Sequence, residues 1–196
     1  GLGTELGWLV VGPAPDNAAA IAARQGVATV DRLGDATLAT FDGDVLVEAL
    51  AQYARQHDFR LLLMSQTFDA RVVAPRLAAR IDAGVVMNGL AVTADGGTLA
   101  VTASAYGGDT RVVYELADAE RYVVGVSTSA LVAEAAASAT QPTMREIAVD
   151  LGGVEERIRV VAHSEASGPR SEDADIIVAG GRGLGAKENY RLIHEL

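Results

Sequence analysis

The residues best suited to chemistry lie in the final stretch, Asp175-Ile176-Ile177-Val178-Ala179-Gly180-Gly181-Arg182-Gly183-Leu184-Gly185-Ala186-Lys187-Glu188-Asn189-Tyr190. A short apolar run feeds a glycine cluster, and a helical pattern follows. Glycines at a strand-to-helix turn let backbone N–H groups approach phosphate oxygens with no Cβ in the way. The N-terminus of the following helix adds an attraction for anions of roughly 0.3–1 kcal/mol when exposed. Arg182 supplies a fixed guanidinium fork suited to phosphate or an electron-rich ring. Gly181-Arg182-Gly183-Leu184-Gly185-Ala186 fits G-x-G-x-x-G/A, the dinucleotide fingerprint. The same glycines also suit a plain tight turn. A ribose-binding acid about 20 residues further on would fall beyond Leu196.

Other candidates are weaker. No Ser/His/Asp set or carboxylate pair has catalytic spacing. Cys is absent, which excludes disulfides and thiolate metal sites. His57, His163 and His194 are too scattered to suggest zinc. Asp16, Asp31, Asp42, Asp44, Asp58 and Asp69 read as turn or cap residues. Ser65-Gln66-Thr67 closes an apolar run at the end of a strand, where open α/β sheets bind ligands. A vestigial nucleotide pocket there is the second ligand site that the sequence offers. Trp8 reads as core.

The elements that must position these residues follow from periodicity. Trp8–Val11, Val27–Val30, Phe59–Met64 and Tyr122–Val126 are short continuous apolar runs, the pattern of parallel strands covered on both faces. Ala18–Gln25 is a helix that Asp16 or Asn17 can cap and Gly26 ends. Asp31 to Asp44 reads as a polar loop. Val45–Gln56 is a helix with Val45, Leu46, Ala49, Leu50 and Tyr53 on one face. Arg71–Ile81 is another, with Val72, Val73, Leu77 and Ile81 inward, starting near Pro75 or kinked there. Leu99–Tyr106 and Thr110–Leu116 alternate around Gly107-Gly108-Asp109, a hairpin signal. Ser127–Thr143 reads as a surface loop, Arg145–Leu151 and Arg157–Ser164 as a weak strand pair, and Glu165–Asp173 as a linker. Strand–helix alternation predicts an α/β fold: a mostly parallel, Rossmann-like sheet flanked by helices, with an antiparallel strand excursion.

Composition narrows the function classes. Apolar residues make up 49% and charged ones 21%, which argues for a packed core over disorder. The net charge of −10, with no Lys/Arg stripe, argues against nucleic-acid partners. It fits a soluble, cytoplasmic protein. No apolar run approaches the roughly 18–20 residues of a bilayer span, so membrane insertion is not expected.

The closing block resembles a known family. Ile177-Val178-Ala179-Gly180-Gly181-Arg182-Gly183-Leu184-Gly185 with Glu188-Asn189-Tyr190 and Leu192-Ile193 is similar to the opening of the FAD-binding domain in the alpha subunit of electron transfer flavoproteins. That segment reads V-x-G-G-R-G-L/V-G/K, then E-N-F/Y. Elsewhere Leu77-Ala78-Ala79-Arg80-Ile81 with Gly84, Tyr106-Gly107-Gly108 and Val124–Ser127 resemble family segments less specifically. The arginine that closes the last of these in the family is replaced here by Ser127-Thr128-Ser129.

The resemblance implies an N-terminal α/β domain over 1–172, related to the adenine nucleotide alpha-hydrolase-like fold, with its first strand and helix missing. The start of a C-terminal FAD-binding domain would occupy 173–196. It implies that Arg182 contacts FAD, with Gly181 and Gly183 as permissive backbone. It implies a beta subunit partner, acyl-CoA dehydrogenase-type donors and a quinone oxidoreductase-type acceptor. The family's remaining flavin contacts would lie downstream, so FAD retention by these 196 residues is not expected. The alternative is a stand-alone adenine-nucleotide-binding or assembly domain with no redox role.

Overall fold

The computed structural model describes residues 5–95, 97–131, 136, 141–155, 157, 161–162 and 176–194. The chain forms two compact units, Gly1–Arg159 and Val160–Leu196.

Among the described residues the first unit is α/β and holds two sheets. Strands β1 (Gly7–Val11), β2 (Thr29–Leu33) and β8 (Thr143–Glu146) form an all-parallel sheet in the order β1-β2-β8. Strands β3 (Leu61–Ser65), β7 (Tyr122–Val126), β4 (Gly84–Asp95), β5 (Thr98–Ala105) and β6 (Thr110–Glu115) form the other, in the order β3-β7-β4-β5-β6. Its first three strands run parallel, and β5 and β6 add in antiparallel fashion. This is the expected mostly parallel sheet with an antiparallel excursion.

Three helices cover the sheets: α1 (Ala18–Arg24), α2 (Gly43–Gln56) and α3 (Phe68–Arg80). Asp42 caps α2 by accepting from the Asp44 and Val45 amides at 2.8 and 3.0 Å. Thr67 caps α3 through the Ala70 amide at 3.1 Å. Each cap satisfies otherwise orphaned N–H groups. The buried stripe of α3 is Ala70, Val73, Ala74, Leu77 and Ala78, a helical spacing. The main core joins α2 and α3 to Leu33 of β2 and Val123 of β7, with Leu9, Val11, Leu62 and Met64 packed against it. A smaller core of Val10, Ala22, Val27 and Val30 lies under α1, with Trp8 against it. A third, of Val86, Leu99, Val101, Tyr122, Val124 and neighbours, forms where the antiparallel excursion packs on the parallel strands.

Two expectations are corrected. The loop predicted from Asp31 is strand through Leu33, because its charges find partners on β8. Helix α3 begins at Phe68, ahead of Pro75, and Val72 is exposed because it points away from the α3 stripe. Strand β8 pairs with β2; its expected partner, 157–164, falls largely outside the described residues. The proposed linker, 165–173, also lies outside them.

The described part of the second unit is a short loop-and-turn segment. Residues 176–181 have no regular structure, short 3-10 turns span Arg182–Leu184 and Lys187–Tyr190, and α4 is only Arg191–His194. The expected strand at Ile176–Val178 is therefore not formed, and those three side chains are exposed. A strand needs a neighbour to take its backbone hydrogen bonds. The helix expected directly after the glycines is delayed to Arg191.

Among the described residues no helix is long and apolar enough to cross a membrane.

Candidate functional site

The glycine segment folds back on itself. Leu184 donates to the Gly181 carbonyl at 3.0 Å, and Gly185 to the Arg182 carbonyl at 3.0 Å. Asn189 ties the turn down: its side-chain amide donates to the Leu184 carbonyl at 2.6 Å. Tyr190 Oη reaches the Gly180 carbonyl at 3.4 Å. The Asn189 and Tyr190 positions singled out in the sequence thus brace the loop that carries Arg182.

The glycines have different duties. A Cβ on Gly180 would sit 2.7 Å from the tip of Leu184 and 3.1 Å from Ile193, so both side chains pack closely over this glycine. Gly185 adopts φ of +75°, the left-handed region. Gly181 and Gly183 face open space, with nothing within 4 Å of a Cβ. Arg182 is exposed between them. The loop therefore presents one guanidinium and two uncovered glycines on a surface, the composition of an anion contact.

The end of β3 is already occupied. Gln66 Nε2 donates to Asn88 Oδ1 at 2.5 Å, and the Asn88 amide donates back to Gln66 Oε1. Asn88 sits at φ of +59°, beside a register shift in β4 between Val86 and Gly89. A Cβ on Gly125 of β7 would lie 2.6 Å from Met87 and 3.1 Å from Gln66. Gln66 and Met87 thus fill the ground at the carboxyl ends of the strands, where a nucleotide would rest. The polar groups there satisfy one another.

A charged cluster lies on the first sheet around Asp31, whose sequence context reads as a turn. Asp31, in the middle of β2, is only 2% exposed. It accepts from Arg145 Nε at 2.5 Å, Arg145 Nη2 at 2.7 Å and Tyr53 Oη at 2.6 Å. His57 Nε2 lies 3.9 Å away, and its ring stacks on Tyr53 with centroids 4.1 Å apart. Burial alone would push the Asp31 carboxyl up, but the hydrogen bonds from Arg145 and Tyr53 hold it below the usual carboxylate value. Burial, and then the hydrogen bond to Asp31, pushes the Tyr53 hydroxyl up. The signal was present: Asp31-Arg32 and Arg145-Glu146 are complementary dipeptides that face each other in register.

A second network lines an open cleft between α2, α3 and residues 150–155 and 157. Arg157 forks onto Asp44 at 2.8 and 3.2 Å, and Arg76 joins the same carboxylate. Arg157 and Arg76 hold the Asp44 carboxyl down to about 2. Glu48 pairs with Arg80 and Arg55. Gln52 and Asp150 exchange two hydrogen bonds of 2.7 and 2.8 Å. The arginines here are matched to carboxylates, so the cleft fastens Asp150 and Arg157 to the helices. Neither charged network contains Arg182, Gly181 or Gly183.

Known proteins place this arrangement. The electron transfer flavoprotein domain is matched over residues 2–151, the greater part of the first unit. The electron transfer flavoprotein subunit alpha of Thermoanaerobacterium thermosaccharolyticum is 23% identical over 197 residues, covering 99% of this chain and 60% of that protein. The subunit alpha of Bacillus subtilis is 25% identical over 162 residues, covering 83% of this chain and 50% of that one. Protein FixB of Bradyrhizobium diazoefficiens is 28% identical over 206 residues, covering 100% of this chain and 55% of FixB. The chain thus spans half to three fifths of the length of these relatives. With the domain matched across most of its length and its α/β fold in agreement, the chain belongs to the electron transfer flavoprotein family.

Proposed function

We propose that the chain is part of the alpha subunit of an electron transfer flavoprotein. In this reading the intact protein acts in the cytoplasm, binds FAD and pairs with a beta subunit. It carries electrons from acyl-CoA dehydrogenases or similar flavoproteins to a quinone oxidoreductase or another acceptor. The observation that carries the reading is the family match over residues 2–151, joined by relatives that are themselves alpha subunits.

The presence of two compact units supports a division of labour. Residues 1–172 serve as an N-terminal scaffold domain, and 173–196 open the flavin-binding domain. Bound FAD supplies the redox chemistry; the protein contributes binding, orientation and electrostatics. The second unit fits one part of that cofactor. Arg182 pairs with a phosphate or the edge of a ring, and Gly181 and Gly183 leave their backbone open to it. An exposed loop of this size does not enclose an isoalloxazine ring, and ligand sites normally bury most of their ligand. The remaining contacts therefore come from outside residues 1–196, and this chain alone retains little FAD.

The pairing of Gln66 with Asn88 supports the scaffold role for the N-terminal domain over a nucleotide-binding one. The test is co-purification of the full-length protein with its beta subunit. The reading predicts a yellow heterodimer that releases FAD on denaturation. A colourless, flavin-free heterodimer overturns it.

A further inference from the structure

Strand β6 is the outer edge of the second sheet: among the described residues it pairs only with β5. It reads Thr110-Arg111-Val112-Val113-Tyr114-Glu115. Edge strands are usually blunted by a proline, a bulge or a charge in mid-strand. The middle of β6 has none of these, and Val113 and Tyr114 are 63% and 44% exposed.

The ladder decides which backbone groups are open. The Leu116 amide donates to the Leu99 carbonyl at 2.7 Å. Bonded pairs recur at every second residue of an antiparallel ladder, so they continue with Val101 and Tyr114, then Ala103 and Val112. The N–H and C=O groups of Arg111, Val113 and Glu115 therefore point away from β5, to the open side. The side chains of these three residues share one face of the sheet. Their neighbours on β5 are Ser104, Thr102 and Ala100, so no long side chain of β5 stands over the edge.

The order of residues along this edge is self-complementary. Laid antiparallel on a second β6 about Val113, the strand sets Arg111 opposite Glu115 twice and Val113 opposite Val113. On the other face it sets Val112 opposite Tyr114 twice. Opposite charges and aromatic–β-branched pairs are the combinations that stabilise antiparallel strands. Within one chain Arg111 and Glu115 stand about 13 Å apart along the strand and cannot neutralise each other. A slip of two residues either way sets Val113 against Arg111 or Glu115 and separates the charges.

We infer that β6 is a self-association edge: two copies of this chain pair antiparallel through Arg111 and Glu115, and their second sheets join across a two-fold axis at Val113. The two-fold makes the contact isologous, so each charge pair forms twice. The main chain supplies the bonds of an added strand, and the charges supply the register. A six-residue strand pair is small for an interface, so the association is weak, in the micromolar range. It needs no flavin and stands apart from the redox reading.

Sedimentation velocity of the full-length protein with its beta subunit, from about 1 to about 200 μM, tests it. The mass should rise with concentration from one heterodimer towards two. Arg111→Glu sets Glu opposite Glu and should weaken the association at least about tenfold, as should Glu115→Arg. The double reversal, Arg111→Glu with Glu115→Arg, should restore it. Val113→Pro removes an N–H that faces away from β5, so it should keep the circular dichroism of the wild type and lose the association. A mass that stays at one heterodimer across the range overturns the inference. Association that the single reversals leave unchanged, or that the double reversal does not rescue, also overturns it. So does protection of the β6 amides from exchange that comes with the beta subunit at every concentration, by assigning the edge to that subunit.

Discussion

Arg145 lies 114 residues from Asp31 in sequence and grips both of its carboxylate oxygens, at 2.5 and 2.7 Å. The two residues face each other in the β2–β8 register. The side chains of β8 are exposed, and this fork is its principal side-chain tie to the sheet. It fastens the returning chain to the first sheet before Ile147, Val149 and Leu151 join the main core.

Arg145→Met should therefore destabilise the protein by about 3 kcal/mol, because it leaves a buried carboxylate without its cation. Arg32→Met, which breaks the exposed pair with Glu146 at 3.0 Å, should cost under about 1 kcal/mol. Urea denaturation of the two variants measures the contrast. Similar losses would show that the Asp31 fork is not special.

Acid should release the same tie. The Asp31 carboxyl is held below its ordinary value in the folded protein. Its contribution is thus complete above the unfolded value of about 4 and is lost as pH falls through the folded value. Asp44, held down to about 2 by Arg157 and Arg76, behaves alike, losing its contribution between about pH 4 and pH 2. The stability gap between wild type and Asp31→Asn should be constant near neutral pH and shrink in acid. A gap that stays constant to about pH 2 would contradict the assignment.

In the flavin-binding segment, Arg182→Ala in the full-length heterodimer should weaken FAD binding by about 10–100-fold, the worth of one charge-assisted contact. Lys187→Ala, on the turn beyond the glycines, should have little effect. Recovery of flavin fluorescence on dilution reports the dissociation constant. Equal affinities for Arg182→Ala and wild type would remove Arg182 from the site.

At the end of β3, chain 1–196 should give no calorimetric heat with AMP or ATP, since Gln66 and Asn88 satisfy each other and Met87 covers Gly125. Saturable heat abolished by Gln66→Ala would restore the nucleotide-binding alternative.

Much of this architecture is legible in local sequence. Tyr122–Val126 reads as a doubly covered strand and is one, and the Gly107-Gly108 hairpin joins β5 to β6 as its alternation predicts. Asp42 is a cap, as its place before an amphipathic run suggests. What sequence reading missed depends on distant partners. Asp31 looks like a turn residue until Arg145, 114 positions away, is brought opposite it. Val72 looks inward until the stripe Val73, Ala74, Leu77, Ala78 is fixed by packing on α2. For the glycine loop, Gly185 at positive φ and the Asn189 brace agree with a built turn, while the strand at Ile176–Val178 does not form.

The most direct test of the account is the visible spectrum of the full-length protein with its beta subunit, under anaerobic conditions, on adding a reduced acyl-CoA dehydrogenase. The account predicts flavin absorbance from one FAD per heterodimer that bleaches as electrons arrive and returns when an acceptor is added. A heterodimer whose flavin absorbance is absent, or is unchanged by every reduced flavoprotein donor offered, would contradict it.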